Sequence, residues 1–284
     1  MQILHSTYFG KYFFEIAKVL RERLLLSSLL LNSEAWVNYT DRDIRILEQC
    51  DESLLTKVLD CDANTSNALK YLNLGVVPFR FEIMKRKLAF LQYILLQDKQ
   101  SMMYQVLKAI EENSSKNDFA ETCQKYLKTL EIPLSFEQIS EMPKQRFKRL
   151  LKQKTKMAAL KYLNKEKSKQ SNILNIEHTK LEMEEYLLDS DRNVKVPKFI
   201  FKARSKTVDI KVQKSWKYDD KLCSGCKQKD ESGNEILFCK SYGENVKNIT
   251  YSWFYSENVQ DQVSAAKLMM EKLKVRKRIR EEVT

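Results

Sequence analysis

The sequence has 284 residues, 43% apolar and 31% charged, which excludes a disordered tail and predicts a folded globular chain. Glycine (5) and proline (4) are too scarce for many tight hairpins, and no Gly-rich phosphate loop of the GxGxxG or GxxxxGK type occurs. Lys and Arg (50) exceed Asp and Glu (38), a net charge of +12 that favours an anionic polymer, most often nucleic acid, as partner. No apolar run approaches the ~20 residues that cross a bilayer, and no secretory signal is visible. We therefore expect no membrane contact and an intracellular location, cytoplasmic or nuclear, where cysteines stay reduced.

Helical periodicity dominates the first half of the chain. Apolar residues at three- and four-residue steps predict an amphipathic helix over 12–36, whose inner face includes Leu24 and Leu31. Thr40 and Asp43 have the spacing of a capping box that opens a second helix. Further helices are predicted at 53–59, 67–72, 79–97, 101–112 and 119–130.

A basic segment follows Pro143. Between Pro143 and Gln170 there are eleven Lys or Arg and one acidic residue, Glu166, and the pattern predicts one long helix over 144–169. Solvated helix faces usually alternate Glu with Lys, so the missing acidic partners favour phosphate binding, with a plain solvated face as the alternative. The candidate nucleic-acid contacts are Arg80, Arg86 and Lys87 on the 79–97 helix, with Lys144, Arg146, Lys148, Arg149, Lys152, Lys156 and Lys165.

Three cysteines near the C-terminus have the spacing of a zinc knuckle. Cys223 and Cys226 form a C-x₂-C turn around a glycine, and Cys239 follows thirteen residues later. No histidine is near, so the fourth ligand would be a carboxylate. The alternatives to a structural zinc site are a metal-free remnant and a redox-active cysteine pair. The candidate carboxylates, best placed first, are Glu235, Asp230 and Glu231.

The remaining segments carry weaker signals. Tyr218-Asp219-Asp220 superficially resembles polymerase aspartates, but flanking lysines and polar neighbours predict a loop that leads into the knuckle. The stretch 194–212 suits either strand or helix, and the polar residues 170–176 predict a linker. The last helix, which Ser256 could cap, has a heptad-like apolar pattern: Val259, Val263, Ala266, Met270 and Leu273. The fold class is therefore mainly α: a helical bundle-like N-terminal part with a long basic helix, a small cysteine-containing module and a C-terminal helix.

Several motifs together resemble one family. They are YFFEIA at 12–17, LLLNSEAW at 29–36, YLNLGVVPFR at 71–80, KRKLAFLQYIL at 85–95, LSFEQI at 134–139, FKR at 147–149 and FKAR at 201–204. Spread over nearly the whole chain, they resemble the region just after the polymerase core of LINE-type (non-LTR) retrotransposon reverse transcriptases. The family's cysteine module usually reads C-x₂-C…H-x₃-C, and Glu235 stands where its histidine would fall.

The sequence pattern divides the chain into four regions, and the resemblance implies that the first is thumb-like. These are a helical thumb-like region at 1–132, a basic helical region with a linker at 133–192, a mixed region with the cysteine knuckle at 193–255 and a C-terminal basic helix at 256–284. The resemblance also implies contact with RNA or an RNA–DNA hybrid, beside a polymerase core supplied by the parent polyprotein of a mobile element. Since the catalytic fingers and palm have no counterpart in this sequence, no polymerase activity is expected.

Three functions follow as hypotheses. The first is a non-catalytic nucleic-acid-binding fragment of a reverse transcriptase. The second is a helical protein-interaction or scaffold protein whose basic segment only solubilises it. The third is one part of an active enzyme that is split across chains.

Overall fold

The computed structural model describes residues 12–36, 40–113, 118–169, 178–188, 194–214, 217–245 and 247–283. The structure is mainly helical, at 68%, and its described residues contain no strand, which confirms the predicted mainly α class with a cysteine cluster and a C-terminal helix. The predicted linker at 170–176 lies outside the described residues.

The helices are numbered here in chain order. A π-helical turn, Arg21–Leu25, separates the first two, and short 3₁₀ segments lie at Lys240–Tyr242 and Tyr251–Tyr255. The α-helices are α1 Phe13–Leu20, α2 Leu26–Leu29, α3 Asp41–Leu59, α4 Asn67–Leu74, α5 Phe79–Leu95, α6 Met102–Asn113, α7 Phe119–Thr129, α8 Phe136–Glu141, α9 Lys144–Ser168, α10 Glu185–Leu188, α11 Lys195–Arg204, α12 Gly233–Phe238 and α13 Val259–Val283.

The first helical segment is not one regular helix with the predicted inner face. Leu24 is 56% exposed and Leu31 is 66% exposed, so their expected burial is wrong. The π turn adds a residue to the helical turn and places the Arg21 side chain in the interior instead. Arg21 Nε and Nη2 each donate to the Asp51 carboxylate at 2.6 Å, and Nη2 also donates to the Val77 carbonyl at 2.8 Å.

The second helix begins as predicted and runs further than predicted. The Thr40 hydroxyl accepts from the Asp43 backbone N–H, and the Asp43 carboxylate accepts from the Thr40 backbone N–H, which completes the capping box. No break separates 53–59 from the preceding turns, so the separate short helix predicted there is wrong and its residues form the second half of α3. Buried Leu54, Leu55 and Val58 hold that half in the core.

Gly75 fixes the way in which the segment 178–188 lies on α4. It has a φ of +59° at the C-terminal end of α4, and a Cβ there would lie 2.1 Å from the backbone carbonyl carbon of Glu182. Next to it, the Glu184 N–H donates to the Asn73 carbonyl at 2.9 Å, and the Tyr186 hydroxyl donates to Asn73 Oδ1 at 2.6 Å. The glycine is thus required by both conformation and close approach.

The long basic helix α9 packs mainly on α5 and α4. Its inner side is a ridge of buried residues four apart: Phe147, Leu151, Thr155, Ala159, Leu163 and Lys167. The apolar members of this ridge belong to a continuous core reaching from α1 to α13. Burial of three large apolar side chains on this ridge stabilises the helix by about 1.5–3 kcal/mol each. The opposite side of α9 is left to solvent.

In the C-terminal part, the ambiguous stretch 194–212 forms α11 and then turns. The most buried side of α13 is not centred on the predicted heptad positions. It consists of Gln262, Ala265, Ala266, Met269, Lys272 and Arg276, and of the predicted set only Ala266 is fully buried. The structure describes no helix that is both long and apolar enough to cross a membrane.

Candidate functional site

The C-x₂-C turn is built by a short loop with one isolated bridge between Leu222 and Asp230. The Cys223 N–H donates to the Lys229 carbonyl at 2.7 Å, and the Lys227 N–H donates to the Cys223 carbonyl at 3.0 Å. Lys227, directly after the second cysteine of the turn, has a φ of +59°, which lets the chain reverse. This backbone arrangement brings the thiols of the turn to one side.

The other two candidate ligands lie on α12. The Ser232 hydroxyl accepts from the Glu235 N–H at 3.1 Å and so starts the helix, with Glu235 in its first turn and Cys239 at its end. Residues 235 and 239 are one helical turn apart and therefore lie on the same face. Gly233 allows this helix to lie against the Tyr251 ring, because a Cβ there would be 2.1 Å from a ring carbon.

The four predicted ligand atoms come together. Cys223 Sγ lies 3.7 Å from Cys239 Sγ, Cys226 Sγ lies 3.3 Å from Glu235 Oε1, and all four atoms lie within 4.8 Å of one another. A tetrahedral zinc with Zn–S bonds of about 2.3 Å and a Zn–O bond of about 2.1 Å places its ligands about 3.5–3.8 Å apart. The two short edges therefore fit such an ion closely, and the cluster could bind a metal.

The cluster is an electrostatic environment that suits a cation. Burial raises the pKa of the Cys223 thiol, but its hydrogen bond with the Tyr242 hydroxyl and those with the backbone N–H groups of Cys226 and Gly225 outweigh burial, so the pKa is lowered. Burial and the neighbouring Cys223 raise the pKa of Cys239. The pair therefore favours one thiolate at a time, whereas a bound cation would stabilise both.

Glu231 anchors the knuckle to α13 and is not a ligand. Its buried carboxylate accepts from the backbone N–H of Ser224 at 3.2 Å, inside the C-x₂-C turn. The same carboxylate lies 2.5 Å from Arg276 Nη2 and 3.2 Å from Arg280 Nη2. It is occupied by these arginines, so its place among the alternative ligands is wrong. Sequence reasoning missed this link, although Arg276 stands seven residues after Met269 on the buried side of α13.

The Tyr218-Asp219-Asp220 segment lies in a loop that leads into the knuckle, as predicted. Asp220 Oδ1 forms an ion pair with Lys211 Nζ at 2.7 Å. The Tyr218 hydroxyl donates to Asp209 at 2.7 Å, and the Arg280 guanidinium lies 4.8 Å from the Tyr218 ring centre. Of these contacts, the one with Arg280 also anchors α13.

Seven predicted contact residues form an exposed basic surface on α9. Four of them, Lys144, Lys148, Lys152 and Lys156, are spaced four residues apart and so follow one ridge of the helix, about 6 Å apart along its axis. We call these four side chains the lysine ridge. The seven exposed residues are Lys144, Arg146, Lys148, Arg149, Lys152, Lys156 and Lys165, and none has an ion-pair partner in the part of the chain that the structure describes.

The three candidates on α5 lie elsewhere. Lys87 is 0% exposed, with its ammonium 5.0 Å from the Phe119 ring centre, so it cannot reach a phosphate and its assignment as a contact is corrected. Arg86 donates to the carbonyls of Leu30 and Leu26 and caps α2. Arg80 donates two hydrogen bonds of 2.7 Å to Glu48. We therefore leave these three residues out of the basic surface.

No family model, no curated protein and no solved structure matches the chain. The resemblance to the reverse transcriptase region stays a prediction.

Proposed function

We propose that this protein binds nucleic acid through the basic surface of α9 and contacts phosphates without reading base sequence there. The observation that carries the proposal is the lysine ridge: four like charges along one exposed helix ridge, with no acidic partner in the described structure. Like charges at this spacing destabilise a helix by roughly 0.2–0.5 kcal/mol per pair. A polyanion removes that repulsion and releases its own counterions on binding.

RNA is the first ligand to test. The resemblance to a region that would hold template RNA or an RNA–DNA hybrid supports this choice, and α9 is long enough, at about 38 Å, to follow many nucleotides. In this proposal the protein holds nucleic acid and carries out no nucleotide transfer by itself, because its one adjacent aspartate pair lies in a loop with Asp220 already paired to Lys211.

The test compares two variants of equal charge. In the ridge variant, Lys144, Lys148, Lys152 and Lys156 are replaced by Gln; in the matched control, the exposed lysines Lys99, Lys128, Lys247 and Lys267 are replaced by Gln. Binding to a labelled single-stranded RNA is followed by fluorescence anisotropy over a salt series. The slope of the logarithm of the association constant against the logarithm of the salt concentration is negative, and each lost phosphate contact makes it less steep by ~0.7. The slope of the ridge variant should therefore be about 3 less steep than that of the wild type, and the slope of the control should change little.

Two results would overturn the proposal. If both variants weaken binding equally, net charge alone drives it and the ridge is no interface. If the wild-type protein binds RNA without salt dependence, or not at all, the helical scaffold hypothesis replaces nucleic-acid binding.

We further propose that the four-ligand cluster holds one structural zinc ion. The ligands would be Cys223, Cys226, Cys239 and Glu235, and the ion would fix the knuckle and α12 in place. Protein purified without chelators should contain one equivalent of zinc by elemental analysis. Cys226→Ser should lose it, whereas Cys50→Ser, an exposed cysteine outside the cluster, should keep it. A full zinc equivalent in Cys226→Ser, or none in the wild type, would refute the assignment.

A further inference from the structure

A cavity of about 330 Å³ lies between α3, the start of α4, the start of α5 and the C-terminal half of α9. This volume is within the range of about 300–1,000 Å³ that is typical of small-molecule sites. Its walls carry three carboxylates, from Glu48, Glu52 and Glu166, together with the Tyr162 ring and the Arg80 guanidinium. None of the predicted contacts except Arg80 lines it.

The cavity contains a stacked pair of planar groups, Arg80 over Tyr162, against which an aromatic ligand can lie. The Arg80 guanidinium lies 4.9 Å from the Tyr162 ring centre, and two hydrogen bonds to Glu48 hold it in that orientation. Phe81 packs against Tyr162 edge to face, with ring centres 5.7 Å apart, and fixes the ring. Tyrosine rings and arginine planes are the surfaces on which unpaired bases stack.

The three carboxylates of the cavity lining only accept hydrogen bonds, whereas Ser66, Asn67 and Tyr162 add neutral groups that can also donate. Among the described residues, both arginines of the lining are paired with its carboxylates, Arg80 with Glu48 and Arg45 with Glu52 at 2.6 Å, and Glu166 is paired with Lys169 at 2.6 Å. Glu52 is 9% exposed, and Arg45 binds only its Oε1; Oε2 has no hydrogen-bond partner among the described residues. Burial raises the pKa of Glu52 more than Arg45 lowers it, so the carboxylate gains from further donors.

These features select a flat ligand with two adjacent donors. The guanine edge presents N1–H and N2–H side by side, which matches the two oxygens of a carboxylate. Adenine and cytosine place a ring acceptor next to their one amino group, and uracil places its N–H between two acceptors, so each would set an acceptor against a carboxylate.

We infer that this cavity binds a guanine base, with the ring against Tyr162 and Arg80 and the N1–H and N2–H donors on Glu52. The base could belong to a free nucleoside or to an unpaired position in an RNA strand. The second case rests on the proposed function, because α9 carries the lysine ridge as well as Tyr162 and Glu166.

The first arm of the test uses nucleosides, which have no phosphate and therefore do not depend on the lysines. Saturation-transfer NMR and calorimetry on the full chain measure guanosine, adenosine, cytidine and uridine. Guanosine should bind at least about tenfold more tightly than the others. 1-Methylguanosine, which lacks the N1–H, should lose this advantage on the unaltered protein. Equal binding of all four nucleosides, or undiminished binding of 1-methylguanosine, overturns the inference.

The second arm uses variants and strands. Glu52→Gln keeps the shape of the cavity but removes the charge, and it should weaken guanosine at least about tenfold, whereas Glu137→Gln, an exposed carboxylate on α8, should not. A uridine RNA with one guanine should bind the wild type more tightly than the all-uridine strand, and Glu52→Gln should abolish only that difference.

The two proposals can fail separately. If guanosine binds but the ridge variant binds RNA as tightly as the wild type, the cavity assignment is supported and the proposed function is wrong. If RNA binds through the ridge without any guanine preference and guanosine does not bind, the proposed function stands and the cavity assignment fails.

Discussion

Acid should remove a defined part of the stability through one half-buried carboxyl, Glu184. Glu184 Oε2 lies 3.0 Å from Arg204 Nη1, and Oε1 lies 3.1 Å from His178 Nε2. Burial alone would raise its pKa, but the adjacent His178 imidazole and the charge of Arg204 outweigh burial and lower the pKa from 4.5 to about 2. A carboxyl with this depressed pKa stabilises the folded state above pH 4.5 by about 3 kcal/mol, and this contribution is lost as the pH falls towards 2.

The perturbation that isolates this contribution is Glu184→Gln. Urea unfolding followed by circular dichroism gives the free energy of unfolding of both proteins. The difference between them should be about 3 kcal/mol at pH 7 and about 1.5 kcal/mol at pH 3, since the unfolded carboxyl is by then protonated. Glu131→Gln, which removes an exposed carboxylate paired with exposed Lys161, is the matched control and should change little. A Glu184→Gln difference that is independent of pH would refute the reasoning.

Two further predictions concern positions that the fold strains or buries. Asp51→Ala should lower the free energy of unfolding by about 3–5 kcal/mol, because it leaves the Arg21 guanidinium buried without its carboxylate. Replacing both Arg21 and Asp51 by apolar residues of similar size should recover much of this loss. Urea unfolding measures the stability of both variants. Gly75→Ala should lower the melting temperature by several degrees, because it places a Cβ against the Glu182 backbone and requires a left-handed conformation. Gly243 has a φ of +103° and no neighbour within 4 Å of an added Cβ, so Gly243→Ala measures the conformational cost without the clash.

Local signals predicted most helix positions because they act within a few residues. The Thr40 and Asp43 capping box satisfies backbone groups one turn away, so sequence alone locates it. The cysteine cluster was predictable for the same reason: a C-x₂-C turn and a one-turn spacing from Glu235 to Cys239 orient ligands locally. What the sequence could not show is that the two halves meet, since this depends on how α12 lies against the loop.

The interior charges were missed because composition treats every lysine as a surface residue. Lys87 lies four residues after Ile83 and four before Leu91, so it shares the buried stripe of α5. The same holds for Lys272 and Arg276 on the buried side of α13. The helical periodicity therefore indicates that these residues are buried, but the general expectation that charged side chains face solvent predicted the opposite.

The cavity beside Tyr162 was beyond sequence reasoning for a different reason. Its walls come from residues more than a hundred positions apart, such as Arg45 and Glu166. No motif joins them, and only the packing of α9 on α4 and α5 brings them together.

The lysine ridge should destabilise the protein slightly when no RNA is bound. The stability of the protein is therefore linked to the proposed binding of RNA. Its three successive Lys–Lys pairs repel by roughly 0.2–0.5 kcal/mol each, well below the about 1.5–3 kcal/mol that each large buried side chain on the inner side of α9 contributes. The fold therefore tolerates this repulsion. At low salt, the variant with Gln at these four positions should have a slightly higher melting temperature than the wild type. The difference between the two melting temperatures should decrease as added salt screens the charges. RNA should raise the melting temperature of the wild type more than that of the variant. If the variant melts lower than the wild type without RNA, the lysines have stabilising contacts in the folded chain, and their repulsion does not favour polyanion binding.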